Sequence, residues 1–264
     1  MQVQELPTDP QAIRELIRLG QYDGVTGGLA PGYVQANLVI LPKSLAFDFL
    51  LFCQRNPRPC PILEVLDAGK PEPVLTTPGA DIRTDIPKYR IFRDGELYEE
   101  VSDINGYWRD DLVTFLLGCS FTFESAMIHA GIPLRHWETG KNVTMFITNM
   151  STTPAGVFSG PMVVSMRPIH HQQIVRAVQV TSRFPGAHGA PIHVDNSKAI
   201  GIDNIELPDY GDPTEFKDGE VPVFWACGVT PQAVAIKSKP SLMITHSPGH
   251  MFVTDMKDTQ LAAL

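Results

Sequence analysis

Apolar residues along the chain fall into short blocks with two different spacings. In QAIRELIRL, Ile13, Leu16 and Ile17 recur on one helical face, Thr8-Asp9-Pro10 supplies a start signal and Gly20 a stop, which together predict a first helix. ANLVILP reads as a buried strand, and Pro42 opens a second helix, KSLAFDFLLFCQR, that must stop before Asn56-Pro57. PILEVLD reads as the next strand, and this β-α-β order favours an α/β fold with some parallel pairing. Residues 68–80 are a proline-rich surface connection, after which YRIFRDGELYEEV alternates around Asp94-Gly95 as a hairpin. DDLVTFLLG and FESAMIHAG read as two helical segments interrupted at Gly118-Cys119-Ser120, with Gly131 as a C-cap.

The pattern changes after His136. NVTMFITN and PMVVSMRP are strand-like, HHQQIVRAVQVTSRF is helical and APIHV is strand-like again, a ββαβ block that forms a small two-layer unit. VPVFWACG, PQAVAIKS and SLMITH then return to strand-helix-strand order, followed by GHMFVTD. The expected fold is α/β, a mixed sheet with flanking helices plus a smaller two-layer α+β subdomain. The main domain is expected to be discontinuous, residues 1–132 and 190–264, with the subdomain at 133–189.

Composition narrows the function classes. At 264 residues with 43% hydrophobic and 19% charged residues, the chain has enough apolar material for a full core and no polar tract that would leave it disordered. A net charge of −8 and the lack of a Lys/Arg cluster argue against nucleic acid as a partner. The longest apolar stretch, LAFDFLLFC, carries Asp48 and falls far short of the roughly 20 residues that cross a bilayer, so no membrane is expected as a partner either. The N-terminus lacks the marks of a secretory signal, and Cys53, Cys60, Cys119 and Cys227 form no CxxC pair, so reduced thiols and a cytoplasmic location are expected.

Several clusters bear chemistry. Gly118-Cys119-Ser120 and Cys227-Gly228-Val229-Thr230-Pro231 each place small residues at a helix start, where free amides gather an anion and a thiol serves as acid, base or nucleophile. Thr230 reads as the N-cap of its helix, with Pro231 at the first helical position. The same letters also suit simple close packing. HWETGKN sets Glu138 and Lys141 about a Gly140 turn, either as a proton-transfer pair or as a solvated ion pair. Arg83, in ADIRTDIPKYR, and Arg167, at a strand end, are forks able to hold a carboxylate or ordinary surface charges. His188 and His193 are proton carriers or core residues, and His246, His250 and Asp255 leave a loop-built metal site open, because Ser247-Pro248-Gly249 forbids a single helical face. No GxGxxG, P-loop or GxSxG motif is present, which leaves dehydrogenase, NTPase and serine-hydrolase readings unsupported.

Taken together, GLAPGYVQANLVILP, FLLFCQRNPRPCPILEV, DIRTDIPKYRIFRDG, FLLGCSFTFESA, HWETGKNVTMFITNM, RFPGAHGAPIH, VPVFWACGVTPQ and THSPGHMFVTD closely resemble the D-glutamate cyclase family, in order and over residues 28–255. The resemblance implies a hydro-lyase of D-amino acid metabolism that closes D-glutamate to 5-oxo-D-proline with loss of water. The alternatives are a dehydratase of a small hydroxy acid and a non-catalytic carboxylate-binding or regulatory protein. For the cyclisation, the chemistry assigns protons to Glu138 and Lys141 with His188 or His193, leaves the reactivity of Cys227 open, and gives the α-carboxylate to Arg83, Arg167 or the amides of residues 227–232. Amides around Gly118, Cys119 and Ser120, or Cys227, Gly228 and Thr230, are the candidates for oxyanion stabilisation. The expected partner is a small acidic substrate, with a homo-oligomer as an open alternative. No cofactor is expected, and a divalent metal is the alternative.

Overall fold

Residues 34–42 are buried without exception, because the strand Tyr33–Pro42 (β1) runs through the middle of the larger sheet. A computed structural model of the protein describes residues 6–263. One edge of β1 pairs with Leu112–Gly118 (β5); the other pairs in succession with Met243–His246 (β10) and Phe252–Lys257 (β11). Ile62–Leu66 (β2) extends the sheet beyond β5, and Tyr89–Arg93 (β3) and Glu96–Val101 (β4) extend it beyond β10. Alternate side chains of β1 supply two cores. Leu38 and Ile40 join Ile82, Ile91 and Ile244 on one face, while Val39 and Leu41 join Phe49, Phe52, Phe115 and Phe158 on the other. Helix Lys43–Arg55 (α2) covers that second face, where Phe49 meets Phe115 and Phe158 edge-on at ring distances of 4.9 and 5.2 Å.

Thr144–Ser151 (β6), Pro161–His170 (β7), His193–Val194 (β8) and Glu220–Ala226 (β9) form a second sheet in the order β6-β7-β9-β8. Its first two strands come from the 133–189 block and its last two from beyond it. Helices Glu124–His129 (α3) and Ile174–Thr181 (α5) pack on it around Trp225, whose Nε1 donates to Thr181 Oγ1 at 3.1 Å. Helix Thr230–Ser238 (α6) is buried on both sides, with Val234 and Ala235 in the core of the larger sheet and Ala233 in a separate cluster with Cys119 and Cys227. Pro10–Arg18 (α1) packs Ile13 and Ile17 against Val253 of β11.

The α/β class holds, with helices flanking both sheets, and three local expectations are corrected. Every ladder among the described residues is antiparallel. β1 and β2 do point the same way, but β5 lies between them, so they never pair. DDLVTFLLG contains β5 rather than a helix. All seven residues of β5 are buried, and a run apolar on both faces carries no period to tell strand from helix. HWETGKN begins inside a short helix, Arg135–Thr139 (α4), that ends at Gly140 with φ of 64°. The hairpin forms as expected, with Asp94 and Gly95 at φ of 49° and 83°. Among the described residues no helix is long and apolar enough to cross a membrane.

Candidate active site

The two small-residue junctions lie against a common residue, Asn37 of β1. Asn37 Nδ2 donates to the Gly118 carbonyl at 2.6 Å, and a Cβ added to Gly228 would fall 2.0 Å from the same nitrogen. A Cβ at Gly118 would fall 1.8 Å from the Gly186 carbonyl oxygen. Glycine is therefore required at 118 and 228 by close approach of backbone and side chain from other segments. The sulfur of Cys119 accepts the amide N–H of Phe121, two residues on, at 3.5 Å. Cys119 and Cys227 pack in one cluster with Phe121, Met145, Met251 and the ring of Tyr210.

Thr230 does not cap its own helix. Its hydroxyl accepts the Val163 N–H at 3.0 Å and reaches the Cys227 carbonyl at 2.7 Å, fastening the turn to β7. Thr230→Val keeps the shape but leaves that buried N–H unpaired, so a loss of about 1–3 kcal/mol is expected. A urea melt should show a lower midpoint at unchanged slope.

Beside the junctions lies a buried ion network. Arg167 of β7 donates through Nε at 3.0 Å and through Nη2 to Glu124 Oε1, through Nη2 to Ser120 Oγ at 3.0 Å, and through Nη1 to Ser165 Oγ at 3.1 Å. Its guanidinium lies between Phe123 and Trp225, 5.4 Å from each ring centre. Trp137 Nε1 donates to the other Glu124 oxygen at 2.6 Å, and His136 Nε2 stands 2.9 Å from Oε1. Burial pushes the Glu124 carboxyl up, but the charges of His136 and Arg167 with their hydrogen bonds outweigh it and hold it at about 2. Arg167 is thus a fixed charge with most of its donors engaged.

Two histidines carry opposite tautomers. The fully buried His188 can only donate through Nδ1 to the Arg58 carbonyl, at 2.7 Å, so its unpartnered Nε2 is a bare lone pair. Burial, with the nearby Arg167 charge adding to it, lowers its pKa to about 4. His246 Nδ1 accepts the Leu38 N–H at 3.1 Å, which leaves a hydrogen on its unpartnered Nε2. Burial also lowers its pKa, to about 3. The thiols are shifted the other way. Burial pushes Cys227 up to about 11 and Cys119 further still, so both carry protons at neutral pH. That argues against the thiolate nucleophile left open from sequence.

Of the residues singled out from sequence, Gly118, Cys119, Ser120, Arg167, His188, Cys227, Gly228 and Thr230 gather in this region, and the others lie elsewhere. Glu138 and Lys141 do share a cleft, of about 300 Å³, but it is open and also lined by Arg135, Thr214 and Lys217. Glu138 is 42% exposed and pairs with Arg135 and Lys217 at 3.2 and 3.3 Å. His193 sits on β8 with Nε2 2.9 Å from the Asn196 carbonyl. Arg83 pairs with Asp81 at 2.6 Å and stands over Trp108, which packs with the core of the larger sheet's other face. Asp255 pairs with Arg14 at 2.9 Å, and His250 Nδ1 donates to Pro248. Among the described residues no group of three or more His, Cys, Asp or Glu side chains is placed to hold a metal ion.

Sequence reasoning missed Asn37, Glu124, His136 and Tyr210. The first two carry a usable signal: a lone amide inside the apolar run ANLVILP, and a lone carboxylate in FTFESAM, both needing buried partners.

A family model described as D-glutamate cyclase matches residues 113–255, a span that holds both junctions, Arg167 and His188. "Putative hydro-lyase Teth514_1597" of Thermoanaerobacter sp. (strain X514) is 66% identical over 253 residues, covering 96% of each chain. "Putative hydro-lyase YcsI" of Bacillus subtilis (strain 168) is 61% identical over 255 residues, 97% of this chain and 99% of that protein. A further relative, "Putative hydro-lyase" of Stutzerimonas stutzeri (strain A1501), is 60% identical over 97% of this chain and 96% of its own. With the model covering more than half of the chain and relatives this similar over nearly all of it, the chain belongs to the D-glutamate cyclase family.

Proposed function

We propose that the protein is a hydro-lyase that cyclises D-glutamate to 5-oxo-D-proline with loss of water. The family and the hydro-lyase names of its relatives support the reaction class. The observation that carries the specific reaction is one buried region holding an unprotonated imidazole, His188 Nε2, and protonated thiols, Cys119 and Cys227, around two glycine junctions.

The chemistry requires opposite treatment of the two ends of the substrate. The α-ammonium must lose a proton before its nitrogen can attack the side-chain carboxyl carbon, and His188 Nε2 is the base for that step. As the C–N bond forms, negative charge gathers on the carboxyl oxygens, where the backbone amides of the two turns and the Arg167 charge stabilise it. One C–O bond then breaks, with the Cys227 thiol donating to the departing oxygen. Nitrogen gives up two protons in all and water carries two away, so relay through His188 and Cys227 restores both groups. The partner in this reading is a small acidic substrate, and the chain's own groups move every proton.

Purified protein incubated with D-glutamate should yield 5-oxoproline by NMR, with L-glutamate as the stereochemical control. Stabilisation by D-glutamate in a thermal-shift assay without product would replace the enzyme by a carboxylate-binding protein. Product from 2- or 3-hydroxy acids alone would make it a dehydratase.

A further inference from the structure

We infer that Arg90 of β3, and not Arg167, anchors the substrate's α-carboxylate. The inference deepens the cyclase reading and takes its ligand from it.

The two arginines differ in what they have left to offer. Each guanidinium has five N–H groups in a planar fork. Arg167 is 1% exposed and spends four of its N–H bonds on Glu124, Ser120 and Ser165, so it cannot present a two-pronged edge to a ligand. Arg90 is 22% exposed and commits only two: Nε to Glu100 at 3.0 Å and one Nη1 hydrogen to Gln232 Oε1 at 3.3 Å. The remaining three, including both on Nη2, have no partner among the described residues. A carboxylate can take that edge with two parallel hydrogen bonds.

Its neighbours connect it to the thiol cluster. Arg90 lies over the ring of Tyr210, 5.9 Å from the centre, and Tyr210 in turn packs against the cluster that contains Cys119 and Cys227. Gln232, in the first turn of α6, ties the fork to the Cys227–Thr230 turn and itself donates to the His246 carbonyl at 2.8 Å. Glu100 sits directly opposite Arg90 in the β3–β4 ladder, fixing the guanidinium through Nε. Glu100 is also held by Ser247 Oγ at 2.9 Å and lies 3.8 Å from Lys88 Nζ. Two cations and one carboxylate meet there, so the locality keeps a net positive charge for an incoming anion.

The test measures D-glutamate kinetics and, separately, glutarate binding by titration calorimetry, since glutarate keeps the carboxylates but lacks the amine. Arg90→Met should raise KM and the glutarate Kd by about ten- to a hundredfold, with kcat changed far less. Arg90→Lys keeps the charge but loses the fork, and should raise both constants by a smaller factor. It also serves if the methionine variant fails to fold. Unchanged KM and Kd in both variants while the wild type turns over would overturn the anchor and leave the cyclase reading intact. So would a KM rise from Arg83→Met with none from Arg90→Met. Should the wild type make no 5-oxoproline, the cyclase reading falls and glutarate alone decides. Binding weakened about tenfold or more in Arg90→Met supports the anchor, while equal binding, or none to the wild type, overturns it.

Discussion

Glu124→Gln should destabilise the protein by about 3–5 kcal/mol, because it removes one partner of a buried ion pair and strands the other. Arg167 is 1% exposed and lies against Phe123 and Trp225, so bulk solvent does not reach it to replace the lost carboxylate. Trp137 would also lose a charged acceptor. Equilibrium urea unfolding of Glu124→Gln, Arg167→Met and the double variant forms a cycle. The double variant should be less damaged than the sum of the single ones, since methionine leaves no charge to strand. The pH dependence has a definite sign. The folded carboxyl titrates at about 2, below the roughly 4.3 of an unfolded glutamate, so its contribution is present above that value and is lost as pH falls through the folded one. The deficit of the variant should therefore shrink in acid. A loss below about 1 kcal/mol at neutral pH would mean the network is solvated, contrary to its burial.

His188→Asn should lower kcat for 5-oxoproline formation by about 10²- to 10⁴-fold, the usual range for removing a positioned base. Asparagine tolerates the left-handed backbone at this position, φ of 77°, and its amide can still donate to the Arg58 carbonyl. What it lacks is the lone pair of Nε2. Stability supplies an independent reading. A histidine lowered from 6.5 to about 4 on folding stabilises the native state above pH 6.5, and this contribution, about 3 kcal/mol, is lost as pH falls through 4. In the variant the fall in urea stability between pH 6.5 and 4 should flatten by that amount, though His246 contributes a fall of the same sign in wild type and variant alike. Wild-type turnover in His188→Asn would remove His188 from the mechanism.

How much of this was legible beforehand depended on whether a residue's role was local. Asp94-Gly95 announces a hairpin because the turn is decided by two residues, and the helix at Pro10–Arg18 because its cap and its apolar stripe lie within one segment. β5 was misread because burial on both faces erases alternation. Parallel pairing was expected because chain order says nothing of a later strand inserting between two earlier ones. The site divides in the same way. Cys119, Cys227 and their glycines stood out as junctions, yet their meeting at Asn37 depends on segments far apart in the chain. Glu138 and Lys141 looked like a catalytic pair because they are close in sequence, and the fold leaves them together in an open cleft. Nor could the letters tell Arg90 from Arg83 or Arg167, since Arg167 differs by the donors the fold has already engaged and Arg83 by its place beside Trp108, away from the thiols.

Asn37 and Arg90 both precede the span the family model matches, while the thiols, His188 and Gln232 lie within it. An excised fragment of residues 113–255 would carry the proton-handling groups without Asn37 or Arg90 beside them. The proposed site therefore draws on strands from both sides of residue 113, and the matched span alone does not contain it.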